Sequence, residues 1–223
     1  MIAPVLDAPT DTAALRVAMV ASQLRTTGVA DPRVVAAMAE VPREDFLPGV
    51  APALAYRDQL VPLGRGRHAN LPMATGKLLT EAYLRAADRV LLVGAAGGYT
   101  AAVLARIVAE VVAVESDAAL AAHARQALAG VPNVTVVEGP LPAGHAVDAP
   151  YDLLLIDGAV EDLPAALWSQ VAVGGRVATG LAVRGLTRLA SGVRAAGGLG
   201  LNDFADVACA ILPGFAKPAK FQF

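Results

Sequence analysis

Cysteine, aromatic residues and charged residues are all scarce in this chain of 223 residues. The single cysteine, Cys209, excludes a disulfide within the chain and fits a reducing compartment. Only 17% of the residues are charged and the formal net charge is −2, so we expect no basic surface for nucleic acid or an anionic membrane. The first residues carry Asp7 and Asp11 without an early cationic stretch, which predicts no signal peptide and a cytoplasmic protein.

Apolar residues, in contrast, make up 56% of the chain, enough for a large core, and disorder is not expected. The most apolar stretch, residues 90–114, approaches the length of a membrane span. Arg106 and Glu110 interrupt it, and three glycines break it near its start. We therefore interpret it as part of a buried α/β core, in which parallel strands are covered on both faces.

Strands and helices alternate from residue 88 onward. The pattern predicts strands at 88–93, 111–115, 133–138, 152–157 and 176–181, helices at 99–109, 117–129, 163–172 and 185–195, and a C-terminal strand pair near 199–212. This alternation indicates an α/β fold with a doubly wound parallel sheet over residues 76–223. Ligands of such sheets bind beyond the carboxyl ends of the strands.

Residues 1–75 are predicted to form a helical extension that precedes this sheet. Apolar spacing indicates a first helix that Thr12 could cap and Gly28 ends, and Asp31-Pro32 then begins a second helix. Repeated prolines between residues 42 and 72 predict a structured loop or short turns, and residues 75–85 are a helix candidate.

A glycine-rich turn between strand and helix is the strongest functional signal. Residues 94–99 read Gly-Ala-Ala-Gly-Gly-Tyr, and Glu115 follows Gly94 by 21 positions at the end of the next strand. Such a turn lets a nucleotide-type cofactor approach the backbone, and an acid there can bind ribose hydroxyls. The spacing Gly-x-Gly-x-Gly, typical of S-adenosylmethionine sites, fits except at Ala96. The alternative is a tight connection, with Glu115 as an exposed acid that caps helix 117–129.

The chain resembles the protein-L-isoaspartate O-methyltransferases over nearly its whole length. The similarity rests on residues 19–34, on Val41-Pro42-Arg43-Glu44-Asp45-Phe46-Leu47-Pro48, on Ala55-Tyr56-Arg57-Asp58 and Leu63-Gly64-Arg65-Gly66, and on the turn, Glu115 and residues 170–175. The resemblance implies a Rossmann-like methyltransferase that uses S-adenosylmethionine to methylate the carboxylate of isoaspartyl residues in proteins or peptides. It also implies a monomer or a weak homodimer.

The same resemblance suggests roles for individual residues. The implied cofactor-binding residues are Gly94, Ala96, Gly98, Tyr99, Glu115, Glu138 and Gly139. The implied catalytic residues, which would hold the substrate carboxylate, are Asn70, His68 and Asp58. No metal is expected, because the three histidines of the chain lack metal-ligand spacing.

The chain departs from the family at both implied sites. Asn70 and His68 replace the serine and threonine of the substrate loop. Around the cofactor, Leu92 replaces an acid, Ala96 a glycine, and Pro140 the aspartate that accepts from adenine, a role in which Glu138 could substitute. These changes leave two alternatives open: a non-catalytic homologue that acts as a binding protein, or a methyltransferase with another acceptor.

Two further features have more than one interpretation. Arg57, Arg65 and Arg67 make the substrate loop cationic, so they could bind an anion or form a solvated face. Asp157, at the end of strand 152–157, could be a binding or catalytic acid, or a cap of the following turn.

Overall fold

The computed structural model describes residues 11–217, so Asp7, one of the two acids behind the signal-peptide prediction, lies outside it. The strands within the described range are β1 (Val61–Gly64), β2 (Arg67–Ala69), β3 (Arg89–Val93), β4 (Glu110–Glu115), β5 (Val134–Glu138), β6 (Tyr151–Val160), β7 (Val171–Val183), β8 (Leu186–Ala195) and β9 (Gly198–Asp206). The last seven form one sheet in the order β5-β4-β3-β6-β7-β8-β9. The strands β3 to β7 are parallel, whereas β8 and β9 pair antiparallel. The predicted doubly wound α/β fold is therefore confirmed, with a mixed rather than a parallel sheet.

The helices confirm the predicted helical N-terminal region. They are α1 (Thr12–Met19), α2 (Pro32–Glu40), α3 (Pro72–Glu81), α4 (Tyr99–Leu104), α5 (Ala118–Ala127) and α6 (Ala165–Trp168). Helix α2 begins as predicted, because Asp31 accepts a hydrogen bond from the Arg33 N–H at 2.9 Å and Pro32 occupies the first helical position. Helix α1 is capped by Asp11 rather than Thr12, since the Asp11 carboxylate precedes the helix and accepts from the Ala14 N–H.

The core lies on both faces of the sheet, as the apolar stretch 90–114 predicts. Val90 and Leu92 of β3 pack on one face with α1 to α4, whereas Leu91 and Val93 pack on the other face with α6 and Phe215. Adjacent strand residues point to opposite faces, so a strand buried on both sides must be apolar throughout. No helix within residues 11–217 is long and apolar enough to cross a membrane.

The predicted helix 185–195 is wrong, because this segment is strand β8. Arg184 and Gly185 have φ angles of 52° and 81°, and Val183 pairs with Leu186 across them. Two residues with positive φ form the tight turn that matches the twist of a β-hairpin. β8 therefore folds back on β7 and also pairs with β9, which uses its backbone hydrogen bonds on both sides.

The predicted helix 163–172 is shorter in the structure, where it is the single turn α6. Pro164 precedes it, and Val171 already pairs with Tyr151 as the first residue of β7. β7 accordingly begins before the predicted residue 176. Pairing with β6 orders these residues as a strand, which overrides their local preference.

The proline-rich segment 42–72 contains short turns, as predicted, and also the hairpin β1–β2. Helical 3-10 turns span Arg43–Phe46 and Pro52–Leu54. In the hairpin, Val61 pairs with Ala69, and Arg65 and Gly66 connect the strands with positive φ angles. The hairpin is a two-stranded sheet of its own, separate from the main sheet.

Candidate functional site

The candidate site lies where the order of the main sheet reverses. From β3 the chain adds β4 and β5 on one side, and it then crosses back to place β6 on the other side of β3. Doubly wound sheets bind their ligands in the crevice that opens at this point, beyond the carboxyl ends of the strands. Three features lie there: the turn after β3, Glu115 at the end of β4, and Asp157, three residues before the end of β6.

The turn from Gly94 to Gly98 has the left-handed backbone that glycine favours. Gly94 and Gly98 have φ angles of 83° and 103°, and the Gly94 N–H donates to the Val114 carbonyl at 3.0 Å. Ala96 also has a positive φ, 49°, although it carries a side chain. An L-residue in this conformation costs about 1–2 kcal/mol, so the alanine at the family's glycine position introduces local strain.

Glu115 connects the end of β4 to this turn. Its side chain is fully buried. Oε2 accepts the Ala96 N–H at 2.7 Å, and Oε1 accepts the N–H groups of Ser116 and Asp117 at 2.8 and 3.0 Å. The expectation of an exposed capping acid is therefore wrong, since Asp117 caps α5 instead.

Arg67 of β2 forms a buried ion pair with Glu115. Its Nε lies 3.1 Å from Oε1 and its Nη2 lies 2.7 Å from Oε2, and only 3% of the Arg67 side chain is exposed. Burial alone would raise the pKa of Glu115, but the hydrogen bonds and charge of Arg67, with the N–H groups of Asp117 and Ala96, lower this pKa below its ordinary value. Neither interpretation of the cationic loop anticipated that Arg67 would bind an anion within the chain itself.

The two oxygens of Glu115 have no capacity left for another donor. Two guanidinium N–H groups and three backbone N–H groups point at them. A carboxylate offers about four lone-pair sites. A further hydroxyl group can bind Glu115 only if one of these donors leaves, and Arg67 is the one donor that is not fixed by the local backbone.

Asp157 is held by three side chains from different elements. It accepts hydrogen bonds from Asn70 Nδ2 at 2.7 Å, from Thr75 Oγ1 at 3.1 Å and from the Thr100 hydroxyl. The Asn70 Oδ1 accepts the Ala210 N–H at 2.7 Å. Asp157 is therefore neither a free acid nor a turn cap, because it joins the substrate loop to α3 and α4.

Arg43 and Phe46 cover the turn from the N-terminal side. The buried Arg43 donates to the carbonyls of Ala55 and Asn70, and its guanidinium lies 4.7 Å from the centre of the Tyr99 ring. The Phe46 carbonyl oxygen would be 2.0 Å from a Cβ on Gly97, so only glycine fits there. This glycine makes room for the chain's own backbone in the present structure.

The space left between these groups is very small. The cavity beside the turn, Asn70 and Asp157 has a volume of about 10 Å³. A cavity of about 740 Å³ lies elsewhere, between Phe46, Ala102, His123 and Pro132, away from the carboxyl ends of the strands. We assign the candidate site to the smaller cavity, because the turn and Asp157 line it and Glu115 is hydrogen-bonded to the turn at Ala96.

The family of the chain follows from its sequence relatives. The sequence model of the family "Protein-L-isoaspartate(D-aspartate) O-methyltransferase (PCMT)" matches residues 16–198. The chain belongs to the PCMT family. "Protein-L-isoaspartate O-methyltransferase 1" of Rhodopseudomonas palustris is 43% identical over 78% of this chain and 72% of that protein. The protein-L-isoaspartate O-methyltransferase of Koribacter versatilis is 40% identical over 73% of this chain and 74% of that protein.

Solved structures of PCMT proteins have the same fold. One protein-L-isoaspartate O-methyltransferase superimposes with a TM-score of 0.78 and 24% identity over 89% of this chain and 66% of that one. A Plasmodium falciparum protein assigned to the same enzyme class, in complex with S-adenosyl-L-homocysteine, gives 0.75 and 16% identity over 88% of this chain and 97% of that one. At 24% and 16% identity, these similarities show the fold alone.

The cofactor that PCMT membership implies, S-adenosylmethionine, does not fit the site in this conformation. The turn and Glu115 match its expected contacts, but ligand pockets are typically roughly 300–1,000 Å³, against the 10 Å³ found here. The guanidinium of Arg67 occupies both oxygens of the acid to which the ribose would bind. The donor set is therefore present, whereas the volume is filled by the protein.

The structure brings most of the predicted site residues together. Gly94, Ala96, Gly98 and Glu115 meet at the turn, and the Gly139 N–H donates to the Glu115 carbonyl at 3.0 Å. Asn70 and His68 line the small cavity. Tyr99 also lines this cavity, with its ring packed against the Arg43 guanidinium. The remaining two lie outside the lining: Glu138 is half-exposed and 3.7 Å from Arg125, and Asp58 is exposed.

For four site residues the sequence did not indicate the partner, although it did indicate that one of them, Arg67, could bind an anion. They are Arg43, Arg67, Thr75 and Thr100. The Arg67–Glu115 pair spans 48 positions and needs the β1–β2 hairpin, which the repeated prolines concealed. The one available signal was the turn Gly64-Arg65-Gly66, which is typical of a hairpin and would have placed Arg67 on a strand.

Proposed function

We propose that this protein is a carboxyl methyltransferase that transfers the methyl group of S-adenosylmethionine to isoaspartyl residues of damaged proteins. The observation that carries this proposal is 43% identity to a protein-L-isoaspartate O-methyltransferase over most of both chains. The convergence of the glycine turn, Glu115 and Asp157 at the reversal of the sheet supports it.

The proposed acceptor places modest demands on the site. A carboxylate is already a nucleophile, so the protein has to position the two reactants rather than remove a proton. The reaction therefore needs no general base. Asp157 agrees with this, because three donors hold its carboxylate as a structural hydrogen-bond acceptor. In the proposal, Gly94, Ala96, Gly98 and Glu115 bind the cofactor, and His68 and Asn70 face the substrate carboxylate.

The direct test is transfer of a radiolabelled methyl group to an isoaspartyl peptide, with the aspartyl peptide of the same sequence as the matched substrate. We expect label on the isoaspartyl peptide alone, and loss of transfer in Glu115→Gln. Glu110→Gln, at the opposite end of the same strand, should retain it. Equal labelling of both peptides, or none of either, would contradict the proposed acceptor.

One observation favours a second candidate, a non-catalytic homologue that acts as a binding protein. The cavity is nearly filled, and the acid at the ribose position is saturated by donors of the chain itself. This candidate requires that S-adenosylhomocysteine does not bind a folded sample. Binding without methylation of the isoaspartyl peptide would instead indicate a methyltransferase with a different acceptor.

A further inference from the structure

We infer that Arg67 is an internal competitor for the cofactor site, and that the β1–β2 hairpin must lift its guanidinium off Glu115 before a cofactor can bind. This inference rests on the proposed function, since it concerns access to the same site. The observation behind it is a bidentate pair at 2.7 and 3.1 Å between two side chains that are 3% and 0% exposed.

The pair excludes ribose for a chemical reason as well as a spatial one. A charged guanidinium forms hydrogen bonds to a carboxylate that are roughly twice as strong as those of neutral donors. Ribose hydroxyls are neutral, and Glu115 already receives five N–H donors. Cofactor and Arg67 therefore cannot occupy Glu115 together, and each molecule of cofactor bound must displace the guanidinium.

Glu115 is equipped to remain in place after Arg67 leaves. The N–H groups of Ala96, Ser116 and Asp117 come from its own strand end and from the turn beside it. They continue to satisfy the carboxylate, and they leave part of its lone-pair capacity free for hydroxyl groups. The guanidinium itself is less well satisfied, because its buried Nη1 has no hydrogen-bond partner among the described residues.

The hairpin that carries Arg67 is attached in a way that permits this movement. β1 and β2 pair only with each other and not with the main sheet. Apart from the Arg67–Glu115 pair, the tip of the hairpin forms an ion pair at the surface, between Arg65 and Asp117 at 3.4 Å. Ion pairs of this kind contribute little to stability. Asn70, the residue after β2, is hydrogen-bonded to Asp157 and to the Ala210 backbone, so the hairpin is anchored at its base.

The test compares calorimetric titration of S-adenosylhomocysteine into the wild-type protein, Arg67→Ala and Arg67→Lys. If Arg67 competes with the cofactor, the affinity for S-adenosylhomocysteine rises as the Arg67–Glu115 pair is weakened. We expect a rise of at least about fivefold in Arg67→Ala and a smaller rise in Arg67→Lys. Thermal stability should fall in the same order. A purely structural role of Arg67 would lower both quantities, so opposite changes in affinity and stability identify competition.

Arg65→Ala is the matched control, because it removes an exposed arginine two positions away on the same hairpin. We expect its affinity and melting temperature to equal those of the wild type. Hydrogen exchange without ligand provides a second readout, in which Arg67→Ala should exchange faster at residues 61–69 and Arg65→Ala should not.

The outcomes separate this inference from the proposed function. Equal affinity of wild type and Arg67→Ala would overturn the competitor while leaving a cofactor-binding methyltransferase. Binding by neither, in samples that melt cooperatively, would overturn both. Weaker binding by Arg67→Ala would show that Arg67 supports the cofactor and would also overturn the inference.

Discussion

At the scale of single residues, the proposed cofactor site gives Glu115 two partners, Arg67 and the ribose hydroxyls, that need the same two oxygen atoms. In the described conformation Arg67 holds both, and the local backbone supplies three more donors. Replacing Glu115 therefore affects folding and cofactor binding through one group. The effect on folding can be measured alone, because the Arg67–Glu115 pair is present without a ligand.

The first prediction concerns the stability of Glu115→Gln. Removing the carboxylate leaves the Arg67 guanidinium buried without a counter-charge, which should reduce the free energy of unfolding by roughly 3–5 kcal/mol at neutral pH. Burial raises the pKa of Glu115, but Arg67 and the backbone N–H groups outweigh it, so this pKa lies below its ordinary value of 4.5. A lowered pKa stabilises the fold above the unfolded-state pKa, and this contribution is lost as pH falls through the folded-state pKa.

Urea unfolding of wild type and Glu115→Gln between pH 3 and pH 7 measures this effect. The difference between them should be largest above about pH 4.5 and should shrink below it. Glu110→Gln, which removes a half-exposed carboxylate from the same strand, should cost at most about 1 kcal/mol. A difference for Glu115→Gln that grows as pH falls would contradict the assigned ion pair.

The second prediction concerns the strained turn. Ala96→Gly removes a side chain from a residue with φ of 49°, so it should raise the free energy of unfolding by about 1 kcal/mol. Ala95→Gly is the control, because Ala95 is buried and is not among the residues with positive φ. It should lower stability by about 1 kcal/mol. Loss of stability in both variants would show that Ala96 is not strained.

At the scale of elements, the parallel half of the sheet was predictable and the antiparallel half was not. β3 to β6 are apolar runs separated by a glycine turn and by helices with clear caps, such as Asp117 before α5. β8 has apolar residues at spacings that a helix also allows, and its strand state depends on pairing with β7 and β9. The deciding local signal was Arg184-Gly185, a tight turn that joins two strands.

The third prediction tests that turn. Gly185→Ala places a Cβ on a residue with φ of 81°, which should reduce the free energy of unfolding by about 1–2 kcal/mol. The cause is backbone strain alone, because no atom lies within 4 Å of the added Cβ. Gly130→Ala is the control, because that glycine also has open space but no positive φ, and it should change stability by less than about 0.5 kcal/mol. Equal effects in urea unfolding would contradict the assigned hairpin.

At the scale of the whole molecule, the N-terminal helices and the sheet share one core. Met19, Leu24 and Leu78 belong to the same buried cluster as Val90 and Leu92 of β3. The sequence indicated both regions but not this joint packing, because contacts between distant segments leave no local pattern. For the same reason the sequence identifies Glu115, Asn70 and Asp157 as candidate site residues but not the contacts Asn70–Asp157 and Arg67–Glu115.

The fourth prediction follows from that shared core. Residues 11–75 and 76–217 should unfold in one cooperative transition, so far-ultraviolet circular dichroism and the fluorescence of the single tryptophan, Trp168, should give superimposable thermal curves. Addition of S-adenosylhomocysteine at about 100 times its dissociation constant should stabilise the fold by about 2.7 kcal/mol. Two separated transitions would show that the N-terminal region folds independently.

The most direct measurement of the account is a crystal structure of the full chain grown with S-adenosylhomocysteine. We predict that the ribose hydroxyls bind Glu115 and that the ligand contacts the protein backbone along the turn from Gly94 to Gly98. We also predict that Arg67 is displaced from Glu115 and that the β1–β2 hairpin has moved away. A ligand bound with the Arg67–Glu115 pair intact, or a site that stays closed at saturating ligand, would contradict it.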